Sequence, residues 1–384
     1  MRCRGRMEWS CSGMEFKNLR VYQPDGTFRT GGLTISGDRI AAAQSSADAC
    51  DMDGLYAVPG LVDIHFHGCA GHDLCEGTHA ALAAMARYQA EHGICAICPA
   101  TVALPEEELC SIMEAVASYE TGRRDAALAG VNLEGPFLAE SRRGAQNGAY
   151  LQKPDAALFR RLQEKAQGLI RLCEIAPELP GALDMISELS GEVRLSLAHT
   201  DADYDTACEA FRRGARQVTH LFNAMAPMTH REPGLIGAAL DHDRVGVELI
   251  TDGAHVHPAA VRAAFRLFEN RIILISDSMS ATGAEDGRYT LGGIEITAQN
   301  GRATVNNGHT LAGSVANLFD CMRRAVEMGV PLGQAVRSAS TNPARAIGIQ
   351  YDYGSLEPGK LANILLLDDD LNINTIILRG QIID

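Results

Sequence analysis

An alternation of apolar runs and helix-like stretches, from Gly93 to Ser278, constrains the fold of this chain most strongly. Seven apolar runs in that span have the composition of β-strands: ICAICPATV, LAGVNLEG, LIRLCEIAP, VRLSLAHT, QVTHLFNA, VGVELITDG and IILISDS. An eighth run, LVDIHFHG, precedes them, and stretches such as PDAALFRRLQEKA and PAAVRAAFRLFEN separate them. This rhythm predicts a parallel sheet covered by helices. Eight units predict an α/β fold of the (β/α)₈ TIM-barrel type.

The two ends of the chain have a different pattern. Residues 14–58 and 346–384 carry short alternating runs and turns, and lone hairpins are marginally stable. We therefore expect the ends to pair into one small β-sandwich domain beside a barrel spanning residues 59–345. Residues 1–13 precede the first strand-like pattern and are expected to be a disordered extension. Residues 289–305, with two glycine-containing turns, predict a hairpin inserted after the last barrel strand.

Composition excludes several classes of partner. The 34 basic and 48 acidic residues give a formal charge of −14, which opposes binding to nucleic acid. No apolar run approaches the roughly 18 residues of a membrane span, and the N-terminus lacks the apolar region of a signal peptide. Eleven scattered cysteines then favour reduced thiols and a cytoplasmic location. The CxxC pair Cys95 and Cys98 lies in a strand-like run, which favours core packing over zinc or redox chemistry.

The first apolar run carries two histidines, His65 and His67, at positions i and i+2. Side chains alternate across a strand, so both imidazoles would project from one face. Buried imidazoles need partners, and a divalent cation would satisfy two at once. The alternative is that one histidine is buried and hydrogen-bonded while the other is solvated.

Further ligand-type residues follow other apolar runs. Glu134, His199, His220 and Asp277 each stand just after a predicted strand, where barrel enzymes place their active sites. His199 and His220 are separated by one strand–helix unit, so their side chains would lie on adjacent strands and converge. Histidines with carboxylates suit zinc, and iron or manganese could also bind. Each residue taken alone could instead be a hydrogen-bonded loop residue.

Several longer motifs connect these residues to a known family. They are PGLVDIHFHG, LEGPFL, LAHT, THLFNAM, REPG, TDGAHVHP, SDSMSATG and TLAGS. From about Met14 to its C-terminus, the chain resembles the N-acetylglucosamine-6-phosphate deacetylases of the amidohydrolase superfamily. LEGPF, HLFNAM and REPG are specific to these deacetylases, whereas the HxH pair and a final barrel aspartate occur across the superfamily.

The resemblance implies roles for the strand-end residues. Glu134, His199 and His220 would hold one catalytic metal, and Asp277 would be the general base and acid. Amide hydrolysis agrees with this assignment, because a carboxylate must take a proton from water and return it to the leaving amine.

Members of the family differ at the HxH pair, and those that keep it can hold two metals. This chain keeps it, so we predict a second site of His65 and His67 with Glu134 bridging and Asp277 nearby. The expected cofactor is one or two divalent metal ions per chain, zinc in preference to iron or manganese.

The resemblance also implies the residues that contact the substrate. Arg231 matches a phosphate-binding arginine that can come from a neighbouring subunit in the family, which predicts a homodimer. Gln146 departs from relatives that carry histidine there, and its amide can hydrogen-bond but cannot carry charge. The implied substrate contacts are Ala145, Asn223, Ala224, Arg231, His255, Leu311, Ala312, Gly313 and Ser314.

The resulting functional hypothesis is metal-dependent hydrolysis of N-acetylglucosamine 6-phosphate to glucosamine 6-phosphate and acetate, in amino-sugar catabolism. A first alternative is the same reaction on the galactosamine epimer, since one hydroxyl separates the substrates. A second is a cyclic amidase or dipeptidase of the same superfamily, which would not require phosphate. A non-catalytic sugar-phosphate sensor is disfavoured because the metal ligands and the base are present.

Overall fold

A computed structural model describes residues 14–42, 48–305, 308 and 310–383. The expectation of a disordered extension concerns residues 1–13, which lie outside the described residues. Strands and helices alternate through most of the chain, which confirms the predicted α/β class.

The strands are named here in chain order. Those of the N-terminal part are β1 (Met14–Tyr22), β2 (Phe28–Ser36), β3 (Arg39–Ala41), β4 (Cys50–Asp51) and β5 (Tyr56–Pro59). The following ones are β6 (Leu61–Asp63), β7 (Gly68–Cys69), β8 (His72–Asp73), β9 (Ile94–Ile97), β10 (Ala127–Leu128), β11 (Val131–Leu133), β12 (Ile170–Ile175), β13 (Arg194–Leu197), β14 (Gln217–Val218), β15 (Gly246–Ile250) and β16 (Ile272–Ile275). The last are β17 (Gly287–Leu291), β18 (Ile294–Gln299), β19 (Arg302–Val305), β20 (Thr310–Leu311), β21 (Ile364–Leu367), β22 (Ile373–Leu378) and β23 (Gln381–Ile383).

The predicted apolar runs form two parallel sheets that follow chain order. One contains β6, β9 and β10, and the other runs from β11 to β16. A parallel bridge between Ala100 and Asn132 connects the second apolar run to the third. At the other end, the N–H of Asp277 donates to the carbonyl of His65 over 3.0 Å. The first and last runs of the series are therefore hydrogen-bonded to each other.

Both ends of the chain contribute to one sheet. Its strand order is β23-β22-β21-β5-β1-β2-β3, and β4 pairs with β1. The junction is the antiparallel pair β21–β5, in which Ile364 faces Pro59 and Leu367 faces Tyr56. Because β5 leads almost directly into β6, this sheet fixes where the first parallel strand begins.

Helices cover the parallel strands, in agreement with the helix-like stretches of the sequence. Side-chain caps begin several of them: the carboxylate of Asp203 accepts from the N–H of Thr206, and Asp155 accepts from the N–H of Ala157. The helices are α1 (His79–Glu91), α2 (Glu106–Ser118), α3 (Ala156–Lys165), α4 (Ala182–Leu189), α5 (Tyr204–Arg213), α6 (Gly234–Leu240), α7 (Pro258–Phe268), α8 (Leu318–Glu327), α9 (Leu332–Val336) and α10 (Asn342–Ala346).

The segment after the last parallel strand contains the predicted hairpin. β17 and β18 pair antiparallel through the Gly292–Gly293 turn, and β18 and β19 pair through Asn300–Gly301. A further strand, β20, pairs with β19. The insertion is therefore a small sheet that returns the chain to Leu311 and Ala312, which line the cavity described below.

The interior between strands and helices is apolar. Both cysteines of the CxxC pair are buried, and the Cys95 thiol donates to the carbonyl of Leu61 over 3.2 Å. This agrees with their predicted place in the core. Burying one Leu, Phe or Ile side chain contributes about 1.5–3 kcal/mol. Among the described residues, none of the helices combines the length and the apolar character needed to cross a membrane.

Candidate metal centre and cavity

The two histidines of the HxH pair lie just beyond a strand rather than within it. β6 ends at Asp63, because the backbone beyond it hydrogen-bonds with residues in loops instead of with a neighbouring strand. The N–H of His67 donates to the carbonyl of Ser278, and the carbonyl of Phe66 accepts from the N–H of Ala100, both over 2.7 Å. The prediction that His65 and His67 extend a strand is therefore wrong, although both rings are buried in the same cluster.

The carboxylate of Glu134 is the centre of this cluster. Its Oε1 lies 2.9 Å from Nε2 of His199 and 3.6 Å from Nε2 of His220. Its Oε2 lies 3.2 Å from Nε2 of His67 and 3.8 Å from Nε2 of His65. One buried carboxylate thus faces two pairs of histidines through different oxygens.

Among the described residues, three groups of three side chains have the geometry of a metal site. Glu134 belongs to two of them, with His199 and His220 in one and with His65 and His67 in the other, and the third group is His65 with Glu174 and Glu248. The side chains are buried, yet Nε2 of His65 and Oε2 of Glu134 have no hydrogen-bond partner. Unpaired buried polar atoms are costly, and a cation between them would satisfy both. The donor set therefore fits a divalent metal ion.

Asp277 closes the cluster from the end of the last parallel strand. Its Oδ1 lies 3.4 Å from Nε2 of His67 and 3.7 Å from Nε2 of His65. Three cluster residues have left-handed backbone, with φ of 45° at His199, 28° at His220 and 49° at Asp277. Such conformations are strained for these residue types and persist where surrounding structure enforces them. Each aims a side chain into the cluster two residues after its strand ends.

A deeper layer of carboxylates lies beneath His65. Nδ1 of His65 lies 3.0 Å from Oε2 of Glu248 and 3.4 Å from Oε1 of Glu174. The other oxygen of Glu248 accepts from the amide of Gln217, and Glu174 accepts from the amide of Asn132. Both glutamates are fully buried. The ring nitrogen that faces away from the cavity is therefore hydrogen-bonded inside the sheet.

Charges in the cluster shift the pKa values of its members. Burial alone would lower the pKa of His65, but Glu174 and Glu248 raise it well above the usual value. Burial would raise the pKa of Glu134, but His67 and the other histidines hold it well below its usual value. Burial dominates at Glu174 and raises its pKa. The contacts that favour the protonated ring of His65 thus also favour the ionised carboxylate of Glu134, and binding of a metal ion to such a ring would release its proton.

A cavity of about 490 Å³ opens above the cluster. Its lining brings together residues predicted as ligands, as the proton-transfer group and as substrate contacts. The lining residues from those predicted sets are His67, Glu134, Ala145, His199, His220, Asn223, Ala224, His255, Asp277, Leu311, Ala312 and Gly313.

Two of the predicted substrate contacts carry their own local partners. The amide nitrogen of Asn223 donates to the carbonyls of His220 and Leu221, both over 3.2 Å. Nδ1 of His255 lies 2.8 Å from the Asp252 carboxylate, with both side chains nearly buried. These bonds hold Asn223 and His255 in place at the cavity wall.

The structure does not bring Arg231 or Ser314 to the cavity wall. Arg231 is exposed on the loop before α6. Ser314 is buried, and its hydroxyl donates to the carbonyl of Ser276 over 2.6 Å, which ties the loop after β20 to the last parallel strand. Of the predicted substrate contacts, these two lie outside the lining.

Sequence reasoning missed three residues around the cluster, which are Arg142, Glu174 and Glu248. The carbonyl of Arg142 accepts from Nδ1 of His199 over 2.8 Å, while its guanidinium pairs with Asp201. Gln146, which the sequence analysis did single out, lines the cavity and accepts the N–H of Ala103. Glu174 and Glu248 were visible in the sequence as glutamates flanked by apolar residues within the runs LIRLCEIAP and VGVELITDG. That signal marks a buried charge with a partner and could have identified both glutamates.

The sequence was then compared with known proteins. The model of the amidohydrolase family matches residues 56–383. The chain belongs to the amidohydrolase family. An N-acetylglucosamine-6-phosphate deacetylase from Vibrio furnissii is 35% identical over 353 residues, which cover 91% of this chain and 88% of that protein. An N-acetylgalactosamine-6-phosphate deacetylase from Escherichia coli O157:H7 is 34% identical over 367 residues, covering 94% and 97%.

Solved structures of this family agree with the fold. A mutant of N-acetyl-D-glucosamine-6-phosphate deacetylase from Mycobacterium smegmatis, in complex with N-acetyl-D-glucosamine-6-phosphate, superposes with a TM-score of 0.90. It is 34% identical, and the match covers 97% of this chain and 99% of that one. The deacetylase from Thermotoga maritima has a TM-score of 0.87 at 26% identity, with 96% and 99% covered.

Proposed function

We propose that this amidohydrolase removes the acetyl group of N-acetyl-D-glucosamine 6-phosphate by hydrolysis, giving D-glucosamine 6-phosphate and acetate. The observation that carries the proposal is the carboxylate of Asp277, placed against a Glu134-centred histidine cluster at the floor of a cavity. Relatives named for this reaction, at about a third identity over nearly the whole chain, support the choice of substrate.

The proposed metal sites share Glu134. His199 and His220 would complete one site, and His65 and His67 would complete the other. Imidazole nitrogens with one carboxylate suit zinc, at one or two ions per chain. A divalent cation held there would polarise the amide carbonyl and make a water molecule more acidic.

Asp277 would move the proton. Burial raises the pKa of Asp277, but His67 and its neighbours outweigh this and lower it below the usual value, so the carboxylate is ionised at neutral pH. It would take a proton from water and return it to the nitrogen of the leaving amine. The amide C–N bond breaks, acetate keeps the oxygen gained from water, and no proton is lost overall.

The proposed phosphate contact requires a second subunit. Arg231 is exposed and stands outside the cavity lining, as expected of a side chain that serves the site of a neighbour. A guanidinium binds phosphate through two hydrogen bonds. We propose a cytoplasmic homodimer in which Arg231 of each chain reaches the other cavity. Backbone groups around Ala224 and the Leu311–Ser314 loop would hold the sugar.

The same proposal includes the finer architecture. The hydrogen bond from Asp277 to His65 and the Ala100–Asn132 bridge support closure of the eight strands into a (β/α)₈ barrel. We assign the barrel to residues 59–345 and a small β-sandwich domain to residues 14–58 and 346–384. The sheet shared by both ends supports that division.

The galactosamine epimer is the second candidate substrate, because a relative at 34% identity is named for it. Acetate release from each N-acetylhexosamine 6-phosphate, and from unphosphorylated N-acetylglucosamine, tests the proposal. We expect the highest kcat/KM with the glucosamine phosphate and a large loss without phosphate. Preference for the galactosamine epimer would identify N-acetylgalactosamine 6-phosphate as the substrate. Equal rates with and without the phosphate group would favour a general amidase. If metal-loaded protein released no acetate from any of the three, the deacetylase proposal would be rejected.

A further inference from the structure

The deeper carboxylate layer has no part in the reaction proposed above, yet one of its members touches two proposed metal ligands. Oε2 of Glu248 lies 3.0 Å from Nδ1 of His65 and accepts the backbone N–H of His220 over 3.3 Å. Its Oε1 accepts from the amide of Gln217. Glu248 is fully buried in the parallel strand β15.

We infer that Glu248 is a positioning residue that prepares His65 to bind metal and joins the two halves of the metal centre. This inference rests on the proposed metal sites. A neutral imidazole has one N–H, and the carboxylate holds that proton on Nδ1 of His65. Nε2 is then left with a free lone pair toward Glu134 and Asp277, where it has no hydrogen-bond partner. Carboxylate partners of this kind orient metal-binding histidines and fix their tautomer.

The contact with His220 extends this role to the other proposed site. His220 has a φ of 28°, a strained value for a residue with a side chain. The hydrogen bond from its N–H to Glu248 helps to hold that conformation. The same oxygen thus restrains one ligand of each site, and the rigid strand β15 sets their separation.

Glu174 offers a matched comparison with Glu248. It is also fully buried and lies 3.4 Å from Nδ1 of His65. Its Oε1 accepts from the amide of Asn132, but its Oε2 has no partner. A glutamine at this position can place its NH₂ at the unpaired oxygen and keep the bond to Asn132. A glutamine at position 248 cannot, because both oxygens accept N–H bonds and either orientation sets a donor against a donor.

The experiment compares wild type, Glu248→Gln and Glu174→Gln as full-length protein. Zinc bound per chain is measured by elemental analysis after equilibration, and zinc affinity is measured by competition with a chromogenic chelator. We expect Glu248→Gln to lower the affinity for one of the two zinc ions by about 10–100-fold, which is the typical effect of removing a carboxylate that orients a metal-binding histidine. Glu174→Gln should remain within about threefold of wild type. Equal affinities in all three proteins would overturn the inference, and so would equal weakening in both variants.

A measurement on wild type covers the case in which Glu248→Gln does not fold. In zinc-loaded protein labelled with ¹⁵N-histidine, the His65 signals are assigned by comparison with His65→Gln. We expect a proton on Nδ1 and zinc on Nε2, and the reverse arrangement would overturn the inference. Acetate release is assayed separately. An inactive protein that still shows the predicted zinc binding would reject the deacetylase proposal and leave the role of Glu248 intact.

Discussion

The Oδ1 atom of Asp277 lies 3.4 Å from the Nε2 atom of His67. The group proposed to move protons is therefore in contact with a proposed metal ligand, and both side chains are buried. The contact lowers the pKa of Asp277 and so favours the ionised carboxylate despite burial. Asp277 can then accept a proton at neutral pH only because its neighbours compensate for lost hydration.

Replacing Asp277 should separate proton transfer from metal binding. Asp277→Asn keeps the size of the side chain but cannot accept the proton, so kcat should fall about 100- to 10,000-fold. Zinc content should match wild type, because Glu134 and the histidines remain. Asp241→Asn, which changes a carboxylate that accepts from Tyr204 on the surface, is the control. An Asp277→Asn enzyme with near wild-type kcat would disprove the assignment.

Replacing Arg231 tests whether this side chain binds the phosphate of the substrate. Arg231→Ala should raise KM about 10–100-fold, because it removes a charged hydrogen bond to the phosphate. The effect on kcat should be smaller. Arg213→Ala, which removes a half-buried arginine on α5 paired with Asp184 and Glu209, should not change KM. An unaltered KM in Arg231→Ala would mean that another residue binds the phosphate.

Mixing two variants of low kcat/KM, assayed at substrate concentrations well below the wild-type KM, tests whether Arg231 acts across the dimer. When Arg231→Ala and Asp277→Asn chains are unfolded and refolded together, each mixed dimer should contain one complete site. Random pairing then restores roughly a quarter of wild-type activity. If Arg231 served its own chain, no dimer would contain a complete site, and activity would stay at the level of the separate variants.

The ion pair between His255 and Asp252 should make stability depend on pH. Burial would lower the pKa of His255, but Asp252 outweighs this and raises it above the usual value. A raised folded pKa stabilises the protein below the unfolded value, and this contribution is lost as pH rises through the folded value. Asp252→Asn should therefore cost about 3 kcal/mol at about pH 6 and less at about pH 9, measured by urea unfolding. A cost that does not vary with pH would contradict the ionic pairing.

Gly313 stands where the loop after β20 passes the last parallel strand. Its φ is +65°, and a Cβ atom there would lie 2.9 Å from the carbonyl oxygen of Asp277. Gly313→Ala should lower the free energy of unfolding by about 1–3 kcal/mol and reduce kcat about tenfold by displacing Asp277. Gly293→Ala has similar strain, with φ of +79° and open space around the new atom. If both variants behaved alike in kcat, contact with Asp277 would not be the cause.

Local patterns predicted most of the parallel strands, because strand and helix periodicity are properties of short segments. The apolar run VGVELITDG contains β15, and IILISDS contains β16. The same patterns located Glu134, His199 and Asp277, since each lies next to the last residue of such a run. The HxH pair was misplaced relative to β6 because strand length depends on which neighbours accept hydrogen bonds, and those neighbours come from residues near Ala100 and Ser278.

The sequence by itself determined the α/β class, the positions of the eight apolar runs and the family to which the chain belongs. Only the tertiary structure decided that Glu134 faces both histidine pairs, that Glu248 lies beneath His65, and that Arg231 stands outside the cavity. Each of these is a distance between segments far apart in the chain. Such distances are set by the register and packing of the whole sheet, which no short stretch of sequence contains.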